Sequence, residues 1–150
     1  MNIRKAVAAD IVQIANFQVE MAMETENFIL NPLECRKGVQ KFFDEPHLGY
    51  YLVAEEDNEL IGCLLVQNEW SDWRNRMVWW IHSVYVHPDF RMNGVYKSMY
   101  QHLQAVVNDN EMLGGLRLFV DKRNITAQQA YRRLGMTDEH YLLFEWMPEG

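Results

Sequence analysis

One segment, IHSVYVHPDFRMNGVYKSMYQHL at residues 81–103, leaves this chain little choice of fold. Ile81, Val84, Tyr85 and Val86 are the β-branched and aromatic residues of a strand. His87-Pro88-Asp89 ends that strand, because proline cannot continue a ladder. Beyond Gly94, Val95, Met99, Leu103, Val106 and Val107 recur at helical spacing. Strand, glycine-containing turn and helix thus follow directly on one another. A helix opened in this way points its first N–H groups and the positive end of its dipole outward, which makes an anion site. Gly94 lets backbone approach the anion and Arg91 adds charge. Two familiar phosphate motifs do not fit. No Gly-Lys-Ser or Gly-Lys-Thr follows the turn, and the second and third glycines of a dinucleotide fingerprint are absent.

The rest of the chain supplies a sheet around this unit. Residues 2–7 read as a first strand. Asp10 is placed to cap a helix, with Gln13 as capping-box partner, and Ile11, Ile14, Ala15, Met21 and Ala22 give it an apolar face. Asn31-Pro32-Leu33-Glu34 starts a second helix with a cap, a proline in the first turn and a glutamate three residues after the cap. Cys35, Val39, Phe42 and Phe43 face its core side, and Pro46 ends it. Residues 50–55 and 60–67 are two strands joined by an Asp57-Asn58 hairpin turn. Another strand spans 77–86, and one spans 116–120 after a Gly114-Gly115 turn. Residues 124–134 form a helix closed by Gly135, and Met136 and residues 141–147 supply the last strands. The order predicts a mixed α/β sheet with helices on both faces, in one domain over residues 1–150.

Composition narrows the partners. A net charge of −7 at pH 7 argues against sequence-independent binding to nucleic-acid phosphates. Two cysteines, Cys35 and Cys63, without metal or redox spacing, suit a reducing, cytoplasmic setting. No run is long enough to cross a membrane, and MNIRKAVAAD has no signal-peptide core. His47, His87, His102 and His140 have no ligand spacing, so no metal is expected.

The turn Arg91-Met92-Asn93-Gly94-Val95-Tyr96 resembles the acyl-CoA pyrophosphate loop of the GNAT superfamily of N-acetyltransferases, whose pattern is Arg or Gln, two residues, Gly, one residue, then Gly or Ala. Tyr96 departs from the small residue at the last position. A second segment, NITAQQAYRRLGM from Asn124 to Met136, is similar to the family's N-x-x-A-x-x-x-Y-x-x-x-G-F, with Met136 for Phe. The element order also matches, so the resemblance covers nearly the whole chain.

The resemblance implies an N-acetyltransferase that moves an acetyl group from acetyl-CoA to a primary amine in a ternary complex. Backbone groups of Val84, Tyr85 and Val86 would pair with the pantetheine arm, and the N–H groups from Met92 to Tyr96 would hold the pyrophosphate. Asn124 would either bond near the pantetheine or cap its helix. Tyr131 matches the family's tyrosine acid for the leaving thiolate. Three routes remain for the amine's proton. His82 occupies a position that carries glutamate in polyamine-acetylating members, and its imidazole accepts a proton near pH 7. Counting alternate residues puts His82, Val84 and Val86 on one strand face. Glu69 and Asp72, in a segment expected to be a loop lining the acceptor cleft, are the rivals, and a water wire is the third route. Glu20, Glu24 and Glu26 form an acidic group where family members read the acceptor, which suits a small cationic, polyamine-like amine. Amino acids, aminoglycosides and protein amines stay open, as does an acyl-CoA-binding regulatory module without turnover. Many members are dimers, so a homodimer is an open expectation.

Overall fold

In a computed structural model, which describes residues 1–148, the chain runs β1 (Asn2–Lys5), α1 (Ile11–Glu26), α2 (Pro32–Asp44), β2 (Gly49–Glu56), β3 (Glu59–Ser71), β4 (Arg76–Val86), α3 (Val95–Asn108), β5 (Leu113–Arg117) and α4 (Ile125–Arg133). The strands lie in the order β1-β2-β3-β4-β5. Neighbours are antiparallel except for β4 and β5, which are parallel. Met1–Arg117 forms one compact unit and the residues from Leu118 onward form a second.

Local chemistry explains the first unit. Asp57 and Asn58 both take left-handed backbone, with φ of 51° and 65°, as a two-residue type I′ hairpin requires. Asn31 caps α2 through its side-chain oxygen, accepting the N–H groups of Leu33 at 3.0 Å and Glu34 at 3.2 Å. Gly49 is dictated by space, because a Cβ there would lie 1.9 Å from the Val66 carbonyl oxygen. Alternation along the strands separates two apolar faces. On one, Tyr51, Val53, Cys63 and Tyr85 pack with Ile11, Ile14, Ala15 and Phe17 of α1 and Val39 of α2. On the other, Val95 and Met99 of α3 lie against Gly62, where a Cβ would meet their methyl groups at 3.2 and 3.5 Å. Helices therefore cover both faces of the sheet.

Several elements differ from expectation for identifiable reasons. Asp10 does not cap α1 through its side chain. Its carboxylate accepts the Val7 N–H at 2.8 Å, closing a short 3-10 turn over Ala8–Asp10, and pairs with Arg4 at 2.8 Å. Arg4 also reaches Glu55 on β2 at 3.1 Å, so this network ties the first strand and turn to the sheet. β3 runs on to Ser71, because Glu69 and Trp70 are paired with Val78 and Met77. The expected Glu69-to-Asn75 loop is therefore strand for its first three residues and a turn only from Asp72 to Asn75. β5 begins at Leu113, and Gly114 and Gly115 lie within it. The turn falls earlier, at Asn110, whose side chain accepts the Met112 N–H at 2.9 Å. No strand follows α4 among the described residues, so Met136 and residues 141–147 do not supply the strands expected of them.

In the second unit, Asn124 caps α4 by accepting the Ala127 N–H at 3.1 Å. Ala127, Ala130, Tyr131 and Leu134 form its half-buried side. Gly135 ends the helix with φ 90°, a conformation that glycine takes without a Cβ penalty.

Candidate active site

The central irregularity of the sheet lies in β4. Cys63 pairs with Tyr85 and Leu65 with His82, so β4 takes three steps where β3 takes two. The extra residue is a β-bulge at Ser83, whose φ is 53°. The bulge resets the alternation. Tyr85 and His82 share the α1 face with Cys63 and Leu65, whereas Val86 pairs with Gly62 on the α3 face. His82 therefore does not share a face with Val86, contrary to simple alternate counting. Its ring lies parallel to that of Trp80, 6.0 Å away, and burial lowers its pKa below the ordinary 6.5. The imidazole is thus neutral at pH 7 and able to accept a proton.

The ladder between β4 and β5 stops at Trp80 and Arg117. Among the described residues, the stretch beyond Trp80 pairs with β3 and not with β5. Val86 differs from its neighbours, since its carbonyl accepts Arg91 Nε at 2.8 Å.

The turn after β4 keeps the features of an anion site. Gly94 immediately precedes α3, with φ 74° and no side-chain cap, and the helical bonding resumes with the Ser98 N–H on the Gly94 carbonyl at 2.9 Å. A Cβ at Gly94 would meet no protein atom within 4 Å, so the space beside it is open. Met92, also left-handed at φ 69°, is fully exposed. Tyr96, the departure from the family's small residue, does not obstruct the turn. Its half-buried ring lies along α3 beside Tyr100, with centroids 6.3 Å apart.

Arg91 turns away from that space. Its guanidinium meets Glu24 Oε2 at 2.7 Å and lies 5.5 Å from the centre of the Tyr85 ring. Tyr85, expected to matter only through its backbone, donates its hydroxyl to Glu20 Oε2 at 2.8 Å. Burial first, then the Glu20 carboxylate, push the Tyr85 phenol well above its usual range. Glu20, Glu24 and Tyr85 line an open cleft of about 560 Å³, whose apolar wall is Val19, Met23, Phe28, Ile29 and Pro88. Phe28 and Ile29 follow Asn27, whose left-handed φ of 50° ends α1. An apolar pair straight after a helix-ending asparagine was the sequence signal for this wall.

The other expected site residues fall elsewhere. Glu26 is exposed and outside the cleft lining. Asp72 sits at the far end of β4, where its carboxylate accepts the Trp73 N–H at 2.9 Å. With about 3.3 Å per strand residue, that end is on the order of 30 Å from Val86. Asp72 therefore cannot share the cleft with Glu24. Glu69 is bound to Arg117 at 2.8 Å across the sheet, which occupies a carboxylate expected to compete as base. Asn124 caps α4, as above. Tyr131 is half-buried in the second unit, and burial raises its phenol pKa, so it keeps its proton at neutral pH. Among the described residues no group of three or more His, Cys, Asp or Glu could hold a metal ion.

The comparisons agree with this geometry. Residues 15–136 match the family model of the acetyltransferase (GNAT) family. The crystal structure of a possible acetyltransferase from Clostridium difficile 630 is 32% identical, covers 99% of this chain and 98% of its own, and superposes with a TM-score of 0.93. An aminoglycoside acetyltransferase, meta-AAC0020, from an uncultured soil metagenomic sample shares the fold at 17% identity, covering 99% of this chain and 96% of its own with a TM-score of 0.79. A ribosomal-protein-alanine N-acetyltransferase from Brucella melitensis biovar Abortus 2308 does so at 15% identity, covering 97% of this chain and all of its own with a TM-score of 0.76. No curated protein matches by sequence. On the family match over most of its length and on the 32% identical structure, the chain belongs to the GNAT family of acetyltransferases and is an acyltransferase.

Proposed function

We propose that the protein is an acetyl-CoA-dependent N-acetyltransferase whose acceptor is a small cationic amine, polyamine-like in charge. The observation that carries this reading is the cleft where Glu20, Glu24 and Tyr85 meet beside the anion-binding turn. Glu24 is balanced by Arg91. Among the described residues no cation pairs with Glu20, so Glu20 supplies the carboxylate charge left for an ammonium group. This shifts the acceptor role from Glu24, Glu26 and Asp72 toward Glu20, with Glu24 acting through Arg91. The family model crosses the boundary at Arg117, which supports reading residues 1–150 as one transferase domain. Two free thiols accord with a cytoplasmic setting.

The residues present fit acetyl-CoA. The turn from Met92 to Tyr96, with open space beside Gly94, suits a pyrophosphate, and the backbone from Val84 to Val86, beyond the end of the β5 ladder, suits the pantetheine amides. When bound, acetyl-CoA supplies a thioester, whose acyl C–S bond is exchanged for a C–N bond to the amine. The chain's residues then manage protons and charge. His82, neutral at pH 7, takes the proton lost by the amine, directly or through water. A backbone N–H near Val84–Tyr85, just beyond the Ser83 bulge, would stabilise developing oxyanion charge. Tyr131, protonated at pH 7, gives a proton to the leaving sulfur.

The test is CoA release with a panel of polyamines, amino acids, aminoglycosides and peptide N-termini. Turnover with the di- and polyamines supports the reading. Turnover with neutral or anionic acceptors only refutes the acceptor class. Binding of acetyl-CoA without turnover on any amine refutes the enzyme and favours a regulatory binding module.

A further inference from the structure

Arg91 opens the turn assigned to a pyrophosphate, yet its guanidinium is engaged by residues of the neighbouring cleft. Nε donates to the Val86 carbonyl at 2.8 Å and Nη2 donates to Glu24 Oε2 at 2.7 Å, so the side chain bridges the ends of β4 and α1. Its central carbon lies 5.5 Å from the centre of the Tyr85 ring, whose hydroxyl donates to Glu20 Oε2 at 2.8 Å. A carboxylate and an aromatic face, with a second carboxylate behind the ring, are the surroundings that recognise an ammonium group. A cation of the chain itself thus sits among groups suited to the cation of an acceptor.

Magnitudes favour an exchange of partners. The Arg91 and Glu24 side chains are 43% and 40% exposed. Water screens a pair of that kind, and it contributes little to stability. A pyrophosphate offers a guanidinium more, because two anionic groups bond it in bidentate geometry. The turn proposed to hold that pyrophosphate begins at Arg91, three residues before Gly94.

We propose, on the donor and acceptor reading above, that Arg91 is an internal stand-in for the acceptor's ammonium group. It moves from Glu24 to the pyrophosphate when acetyl-CoA binds, and it leaves Glu24 and the face of the Tyr85 ring to the amine. Its departure also releases the Val86 carbonyl, one of the backbone groups assigned to the pantetheine arm. Glu24 therefore joins Glu20 as an acceptor-binding residue, but only in the ternary complex. Donor and acceptor strengthen each other's binding, since each is helped by the same separation of Arg91 from Glu24. Such coupling is reciprocal.

The test is calorimetric titration of CoA into the full chain as wild type, Glu24→Gln, Arg91→Gln and the double variant, with thermal melts to confirm folding. Glu24→Gln should tighten CoA about two- to fivefold, because no ion pair has to be broken. In the Arg91→Gln background the same change should leave CoA affinity unaltered. With 1,4-diaminobutane at saturation, CoA should bind the wild type more tightly by a similar factor, and Glu24→Gln should lose that dependence. A long-range charge effect would instead tighten CoA equally in both backgrounds. Equal tightening, or none, overturns the inference whichever amine is acetylated. A coupled cycle with no effect of the diamine overturns the part given to Glu24 in acceptor binding. A coupled cycle with turnover on neutral or anionic acceptors only refutes the acceptor class and supports the exchange of Arg91. Absence of CoA binding to the wild type overturns the donor reading and the inference with it.

Discussion

Substitution of Gly94 separates backbone strain from ligand contact. At φ 74° the residue occupies the left-handed region, which costs an L-residue roughly 1–2 kcal/mol, less for asparagine and most for a β-branched side chain. In a chain of this size about 1 kcal/mol moves Tm by ~2–4 °C, so Gly94→Val should lower Tm by roughly 2–8 °C and Gly94→Asn by less. Neither variant meets protein, since a Cβ here has no neighbour within 4 Å. The added atoms enter the space assigned to the pyrophosphate. Displacing that group would forfeit one or two charge-assisted hydrogen bonds, about 1.5–3 kcal/mol each. Gly94→Val should therefore weaken acetyl-CoA by about tenfold or more. Calorimetric titration reads the affinity, and a thermal melt reads the strain in the same sample. Stability loss and affinity loss should rank differently across Asn, Ala and Val, because strain follows backbone preference and obstruction follows bulk. A folded Gly94→Val protein with unchanged affinity for acetyl-CoA would refute the placement of the pyrophosphate on this turn.

Four further outcomes are expected. Glu20→Gln should raise the KM of a cationic acceptor more than Glu24→Gln does, with the acetyl-CoA KM little changed; steady-state kinetics on both substrates decide it. Tyr131→Phe should lower kcat at least about tenfold while acetyl-CoA affinity is kept, as for an interaction made mainly in the transition state. The acid limb of kcat/KM should lie below pH 6.5, because burial lowers the His82 pKa, and His82→Ala should abolish that limb in a pH-rate profile. For Asp10, burial alone would raise the pKa, but Arg4 and the Val7 N–H outweigh it and hold the carboxyl below its ordinary 3.8. Its stabilisation is complete above that value and is lost as pH falls from there toward the depressed pKa, so Asp10→Asn should flatten the acid side of the denaturation profile in that window.

Elements that announce themselves through local chemistry were legible in the sequence. Asn31-Pro32 fixed the start of α2, Asp57-Asn58 fixed a type I′ turn, and Pro88 and Gly94 bracketed the turn between β4 and α3. The misplaced elements depend on partners distant in sequence. Asp10 has the residue type of a helix cap, but Arg4 and the Val7 N–H claim its oxygens first. Gly114-Gly115 reads as a turn, yet hydrogen bonding to Met77 and beyond draws both residues into β5. Residues 141–147 have the preferences of a strand, and preference does not supply an edge. Glu69 and Asp72 looked like cleft carboxylates because their strand was expected to end near Gln67, whereas pairing with β4 carries it on to Ser71.

The bulge at Ser83 shows how one unannounced residue reassigns a site. Alternate counting along β4 holds only for a regular strand, and neither glycine nor proline marks this irregularity. With the extra residue in place, His82 moves to the face of Tyr85, the face covered by α1, which also carries Glu20 and Glu24. The proposed base and the carboxylate proposed to hold the ammonium then approach an acceptor from the same side of the sheet. Beyond the bulge, among the described residues, β4 pairs with β3 and not with β5. A regular strand would have placed His82 on the α3 face with Val86, away from the acidic cleft. The bulge therefore does two things with one residue. It puts the candidate base on the sheet face that carries Tyr85, and it lies in the stretch of backbone proposed to receive the acyl donor.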